Sequence, residues 1–165
     1  MDRIERLLTK IKSFSNCRIL EPKGLPRIDK TKHILPEDLY KFYSLCGGLT
    51  LFANEEYPIH IVSPDQFSLA NPIIVGELCE EDISANWYIV CIDSNGEYLT
   101  IDLSKERLGR CYDSSFDRHG LVGESQIIAT SFTDLLERLI ENNGQYSYWL
   151  RRDFDSLGDA YDDVE

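Results

Sequence analysis

Apolar and polar positions alternate most sharply over residues 87–103, WYIVCIDSNGEYLTIDL. Two runs of β-branched, aromatic and aliphatic residues flank Asn95-Gly96, a pair that favours a tight hairpin turn. A two-residue loop, Ser94-Asn95-Gly96-Glu97 with left-handed backbone at both central residues, sets Asp93 opposite Tyr98 and Ile92 opposite Leu99. Val90 then faces Ile101, and Tyr88 faces Leu103. One face of this ribbon, with Tyr88, Val90, Ile92, Leu99, Ile101 and Leu103, belongs in a core. The other carries Trp87, Ile89, Cys91, Asp93, Tyr98, Thr100 and Asp102 and is expected to be half covered. A slip of one residue would exchange the faces.

Helical spacing governs three other stretches. Ile4, Leu7, Leu8 and Ile11 follow Asp2, a natural cap, and Phe14 extends their stripe. In residues 35–48, Pro36 suits the first helical position, and Leu39, Phe42, Tyr43 and Cys46 form the inward stripe. Gly47 or Gly48 is the expected left-handed cap. Ser131 and Asp134 form a capping box ahead of Phe132, Leu135, Leu136, Leu139 and Ile140, and Asn143-Gly144 ends that helix. Short strands are predicted at 49–52, 59–62, 109–112 and 126–129. Ser63 and Gln66 open a short helix that stops near Asn71-Pro72, and 73–75 reads as extended. Residues 15–35, 76–86 and 113–124 read as loops. Residues 1–150 form a single domain in this reading, and 151–165 an acidic tail expected to fray.

Charge changes the picture more than overall composition does. The net charge is −12, but residues 1–35 hold nine Lys/Arg against four Asp/Glu. No Lys or Arg lies between Lys41 and Lys105, while ten Asp/Glu do. Such a field repels phosphates, which argues against nucleic acid as a partner, and it attracts a basic protein. The contact is expected on Glu55, Glu56 and Tyr57, on Glu77, Glu80, Glu81 and Asp82, and on Asp93 and Glu97. If the short strands join the hairpin, these three clusters are expected to merge into one negative face. Five scattered cysteines, without C-x-x-C, fit reduced thiols in a cytoplasm. The charged N-terminus is no signal peptide, and no apolar run is long enough to cross a bilayer.

An ordered set of segments is similar to the SUKH superfamily, which includes fungal regulators of cell-wall glucan synthesis and many small bacterial proteins. Leu35-Pro36 opens a helix that ends at Gly47-Gly48 and runs into a strand. Asp93 to Leu103 forms a hairpin with Gly96-Glu97 at its turn and an Ile-Asp-Leu end, followed by Gly109 and Tyr112. Ile128-Ala129-Thr130-Ser131-Phe132 leads into Leu135, Leu136 and Leu139. The acidic stretch Glu77 to Asp82 and the acidic tail have no counterpart in that pattern. The resemblance implies an α+β fold: a mostly antiparallel central sheet with helices packed beside it. It also implies a protein-binding module. Many bacterial relatives are immunity proteins that block a cognate toxin, often a nuclease or deaminase. Others are regulatory or scaffold proteins of the cell-wall-regulator kind. No catalytic residue comes with the resemblance.

The residues themselves point away from an enzyme. Asp93 and Asp102, on one predicted face, stand four residues apart along the ribbon, roughly 13 Å. A glycosidase pair needs about 5–9.5 Å. In Asp93-Ser94-Asn95-Gly96 the glycine is fourth, where a calcium loop requires it sixth. Cys46 and Cys91 are expected in or beside the core, and Cys79 sits among acids that dull a thiol. His119 lies in a loop within reach of an approach to Cys111, and His60 reads as a strand residue with a satisfied ring. There is no G-x-S-x-G and no Gly-rich phosphate loop, so no cofactor or metal is expected.

Overall fold

The hairpin is the middle of a seven-stranded antiparallel sheet whose spatial order equals its chain order. The computed structural model describes residues 1–164. The strands are β1 (Arg18–Ile19), β2 (Leu49–Leu51), β3 (Ile59–Ile61), β4 (Trp87–Asp93), β5 (Tyr98–Asp102), β6 (Cys111–Ser114) and β7 (Ile127–Ala129). Four helices accompany them: α1 (Arg3–Lys12), α2 (Glu37–Leu45), α3 (Ala70–Ile74) and α4 (Phe132–Asn142). The fold is α+β, as the resemblance implies.

Helices α1, α2 and α4 touch one another and close the main core over one face of the sheet. Ile11, Leu39, Phe42, Leu135 and Leu136 meet Ile61, Cys91, Ile101 and Cys111 in one buried cluster. Local chemistry starts two of these helices as expected. Asp2 accepts from the Glu5 amide at 2.8 Å, and Ser131 accepts from the Asp134 amide at 2.9 Å. Helix α2 differs at both ends. Pro36 is its cap instead of its first residue, and it ends at Cys46 in extended backbone. Gly48, at φ 108°, instead bends the chain into β2, where a Cβ would lie 2.7 Å from the Ile61 carbonyl oxygen. The expected helix after Ser63 is only a turn, and 73–75, expected as extended, belongs largely to α3. Pro72 sits in the first turn of that helix, where its missing N–H is harmless.

The hairpin register departs from the sequence reading. The loop has three residues, because the Asp93 amide bonds the Glu97 carbonyl and the Gly96 amide bonds the Asp93 carbonyl. Of the two turn residues expected at positive φ, only Gly96 is there, at 77°. Cys91 therefore pairs with Leu99 and Ile92 with Tyr98, one residue off the expected register. A bulge at Val90 adds a second step, so Tyr88 pairs with Ile101 and Trp87 with Asp102. The two steps restore the expected faces at the far end and exchange them near the turn. Cys91 is thus on the helix side, fully buried, and Ile92 lies half-buried on the other.

That second face is covered where it was expected to be only partly so. Trp87, Tyr112 and Ile127 pack with Ala160 and Tyr161 in a second buried cluster. Its cover includes the stretch that composition marks as a fraying tail. The Ile127 amide bonds the Gly158 carbonyl at 2.9 Å, and the Ala160 amide bonds Ser125 at 2.8 Å. Asp163 pairs with Arg107 and Arg110, which offsets part of the tail's charge. Glu165 lies outside the described residues.

Candidate partner-binding surface

The sheet divides the expected contact residues between its two ends. Ile59 pairs with Asp93, so the β2–β3 loop and the β4–β5 turn share one end. There Glu55 and Glu56 are exposed. Tyr57 donates its amide to the Gly144 carbonyl at 3.0 Å, and its ring meets Tyr146 edge-on at 5.6 Å. Asp93 and Glu97 are at the same end, but their carboxylates are occupied by backbone amides. Asp93 accepts from the amides of Asn95 (2.8 Å) and Glu97 (3.0 Å), and Glu97 accepts from the Phe116 amide at 2.7 Å.

Glu77, Glu80, Glu81 and Asp82 precede β4 and lie at its other end, about 20 Å along a seven-residue strand. The expected single negative face is therefore not formed. Glu77, Glu80 and Glu81 are exposed, but Asp82 is a structural group. It caps the 3-10 turn Ile83–Asn86 by accepting from the Ser84 amide and hydroxyl, and it accepts from the Tyr161 hydroxyl at 2.7 Å. Burial works against its charge, yet these hydrogen bonds outweigh it and hold its pKa below the ordinary carboxylate value. Reversing Asp82 would therefore break a support.

Beneath this segment runs a buried chain of hydrogen bonds whose connection the sequence reading did not anticipate. His119 bonds Asn71 Oδ1 through Nε2 at 2.6 Å. Asn71 Nδ2 donates to Ser84 Oγ and to the Leu78 carbonyl, each at 2.9 Å, and the Ser84 hydroxyl donates to the Asp82 carboxylate. With both Asn71 amide hydrogens committed, its oxygen must accept, so His119 carries its proton on Nε2. Burial lowers the His119 pKa to about 4 despite the nearby Asp82 charge. No local pattern marks this link, since His119 comes from the β6–β7 connection and Asn71, Asp82 and Ser84 from the β3–β4 connection.

The family model described as SMI1/KNR4 (SUKH-1) matches residues 29–138, two thirds of the chain. The chain belongs to the SUKH-1 family. A Bacillus subtilis (strain 168) protein named immunity protein YokJ is 64% identical over 162 residues, covering 98% of each chain. No solved structure matches. The SUKH-1 match takes in both acidic ends and the buried donor chain except Tyr161. It leaves out α1, β1 and the docked tail.

The remaining chemistry of this SUKH-1 domain is inward-facing. Asp102, on the second face, accepts from Trp87 Nε1 (3.2 Å), the Tyr112 hydroxyl (2.6 Å) and the Ser104 amide (2.9 Å). Burial raises its pKa against those bonds. Asp93 falls on the opposite face of the ribbon because the register shifts, so the two do not share a face as expected. His119 turns to Asn71 and not to Cys111, whose thiol lies against the carbonyls of Gly109 and Ser131. Burial raises the thiols of Cys46, to about 11, and of Cys91 and Cys111. His60 Nδ1 sits 2.8 Å from Thr50 Oγ1, a satisfied strand histidine. Among the described residues no group of three His, Cys, Asp or Glu side chains is placed to hold a metal ion. No described helix is long and apolar enough to cross a membrane.

Proposed function

We propose that this chain is an immunity protein, which binds a cognate toxin domain of the nuclease or deaminase class and blocks it without chemistry of its own. The observation that carries this is its 64% identity, over 98% of both chains, to a protein named as an immunity protein. The partner surface in this reading is basic. Exposed Glu77, Glu80 and Glu81 share a loop that carries no Lys or Arg, and a nuclease cleft shaped for phosphates attracts such a cluster. In this reading the chain works in the cytoplasm, beside the toxin's target, without nucleic acid or membrane as a partner. Its five thiols are all free.

The test is co-expression with the C-terminal domain of the protein encoded immediately upstream. Cells making that domain should survive only when this chain is present. Association in stopped flow should slow steeply with salt. Reversing Glu77, Glu80 and Glu81 to Lys, with Asp82 kept, should slow it by on the order of tenfold or more. Survival without this chain, or no binding by the wild type, would overturn the reading and favour a regulatory module of the cell-wall-regulator kind.

A further inference from the structure

Two loops carry apolar side chains that the fold does not use. Ile73 and Val75 are 53% and 51% exposed, and Leu121 and Val122 are 51% and 76% exposed. Single exposed apolar residues are ordinary, but these four come from two segments fixed to each other. The buried His119–Asn71 bond joins the loops, with Ile73 two residues beyond one partner and Leu121 two residues beyond the other. The Tyr161 hydroxyl ties the same loops a second time. It donates to Asp82 and lies 3.2 Å from the Gly120 carbonyl.

The first loop is also closed on itself. The Asn71 carbonyl accepts from the amides of Val75 and Gly76, while its side chain bonds the Leu78 carbonyl. A surface held this way loses little freedom when a partner seats on it. Exposed Glu77, Glu80 and Glu81 stand on the same loop, with Glu124 beside Val122 on the other. Arg118, the one base in these loops, is paired with buried Asp113 at 2.8 Å. Exposed apolar side chains and exposed carboxylates carried on the same two tied loops suit a counterpart that is apolar with basic residues around it.

We propose that residues 73–81 and 120–124 together form the surface on which this chain seats its toxin, the toxin presenting an apolar recess rimmed by Lys and Arg. This rests on the immunity reading, and it assigns the contact to one end of the sheet. Glu55, Glu56 and Tyr57, at the other end, then lie outside the contact. The test uses the full-length chain and the purified C-terminal domain of the protein encoded immediately upstream. Equilibrium binding is compared for the wild type, Ile73→Asp, Val122→Asp and the double reversal Glu55→Lys/Glu56→Lys. All four positions are solvent-facing, and thermal melts verify that each variant folds. Ile73→Asp and Val122→Asp should each weaken binding on the order of tenfold or more. The 55/56 reversal should change it less than threefold at moderate salt. Folded Ile73→Asp and Val122→Asp variants that bind like the wild type overturn the surface and leave the immunity reading standing. If either one fails to fold, the conservative Ile73→Ser or Val122→Ser takes its place under the same criterion. A wild type that does not bind overturns both.

Discussion

Lowering the pH from 7 to 5 is expected to remove about 2 kcal/mol of stability through His119 alone. Its Nε2–H is given to Asn71, and Nδ1 has no hydrogen-bond partner among the described residues. A second proton would leave a cation buried edge-on against Trp87, with only the Asp82 charge in its favour. Burial wins, and the folded-state pKa falls to about 4, against 6.5 for a free histidine. The unfolded chain therefore takes up a proton as the pH drops through 6.5, while the folded chain does not until about 4. Stability from this group is complete above the unfolded value and is lost as the pH falls toward the folded one. At about 1.4 kcal/mol per pH unit, tapering near 6.5, the loss between pH 7 and 5 is about 2 kcal/mol. That is a large share of the 5–15 kcal/mol typical of a domain. Asp82, with its lowered pKa, gives up its contribution only below the ordinary 3.8, outside this window. The control is His119→Phe, which keeps a ring beside Trp87 and cannot titrate. At pH 7 it should cost about 1–3 kcal/mol, because Asn71 Oδ1 loses its donor. Urea unfolding of both proteins at pH 7, 6 and 5 measures the gap, which should shrink by about 2 kcal/mol. Parallel pH dependences for the two proteins would refute the reasoning.

Gly144→Ala should destabilise by about 1–3 kcal/mol in the same unfolding assay. The position has φ 73°, and a Cβ there would lie 2.6 Å from that of Glu55 and 2.7 Å from that of Phe52. Deleting residues 157–165 should uncover Trp87 and Tyr112, shift tryptophan fluorescence to the red and cost at least about 2 kcal/mol. A tail that merely frays would change neither. Native protein titrated with an aromatic disulfide should react at no more than two thiols, those of Cys17 and Cys79, because Cys46, Cys91 and Cys111 are buried. All five should react in denaturant.

Where structure follows from neighbours in sequence, the chain states it openly. The caps Asp2 and Ser131 each act within three residues, so α1 and α4 begin where they are expected. The hairpin's existence was equally legible, but its register was not. The Asp93 carboxylate captures two amides across the turn and converts a two-residue loop into a three-residue one. The bulge at Val90 has no local signature. The tail reads as disordered because its acids dominate, while the features that dock it, Arg107, Arg110 and the ring of Trp87, lie at least 50 residues earlier. The acidic clusters were visible as residues and misleading as a surface. Nearness along the chain says nothing about which end of a strand a loop occupies. The donor chain from His119 to Asp82 was invisible for the same reason, since it exists only after β3–β4 and β6–β7 connections meet.

An open meander has two bare margins, and a bare strand margin is a template on which further chains can polymerise. In this molecule both are blunted. On one side β1 is only two residues long and holds exposed Arg18, too short and too charged to recruit a neighbour's strand. On the other, residues 158–160 take up the amide of Ile127 and the carbonyl of Ser125 that would otherwise face outward. The docked tail is therefore also a guard against fibre growth. A chain truncated before Gly158 should not simply melt earlier but associate through β7 into ordered aggregates, which a dye for cross-β structure would report.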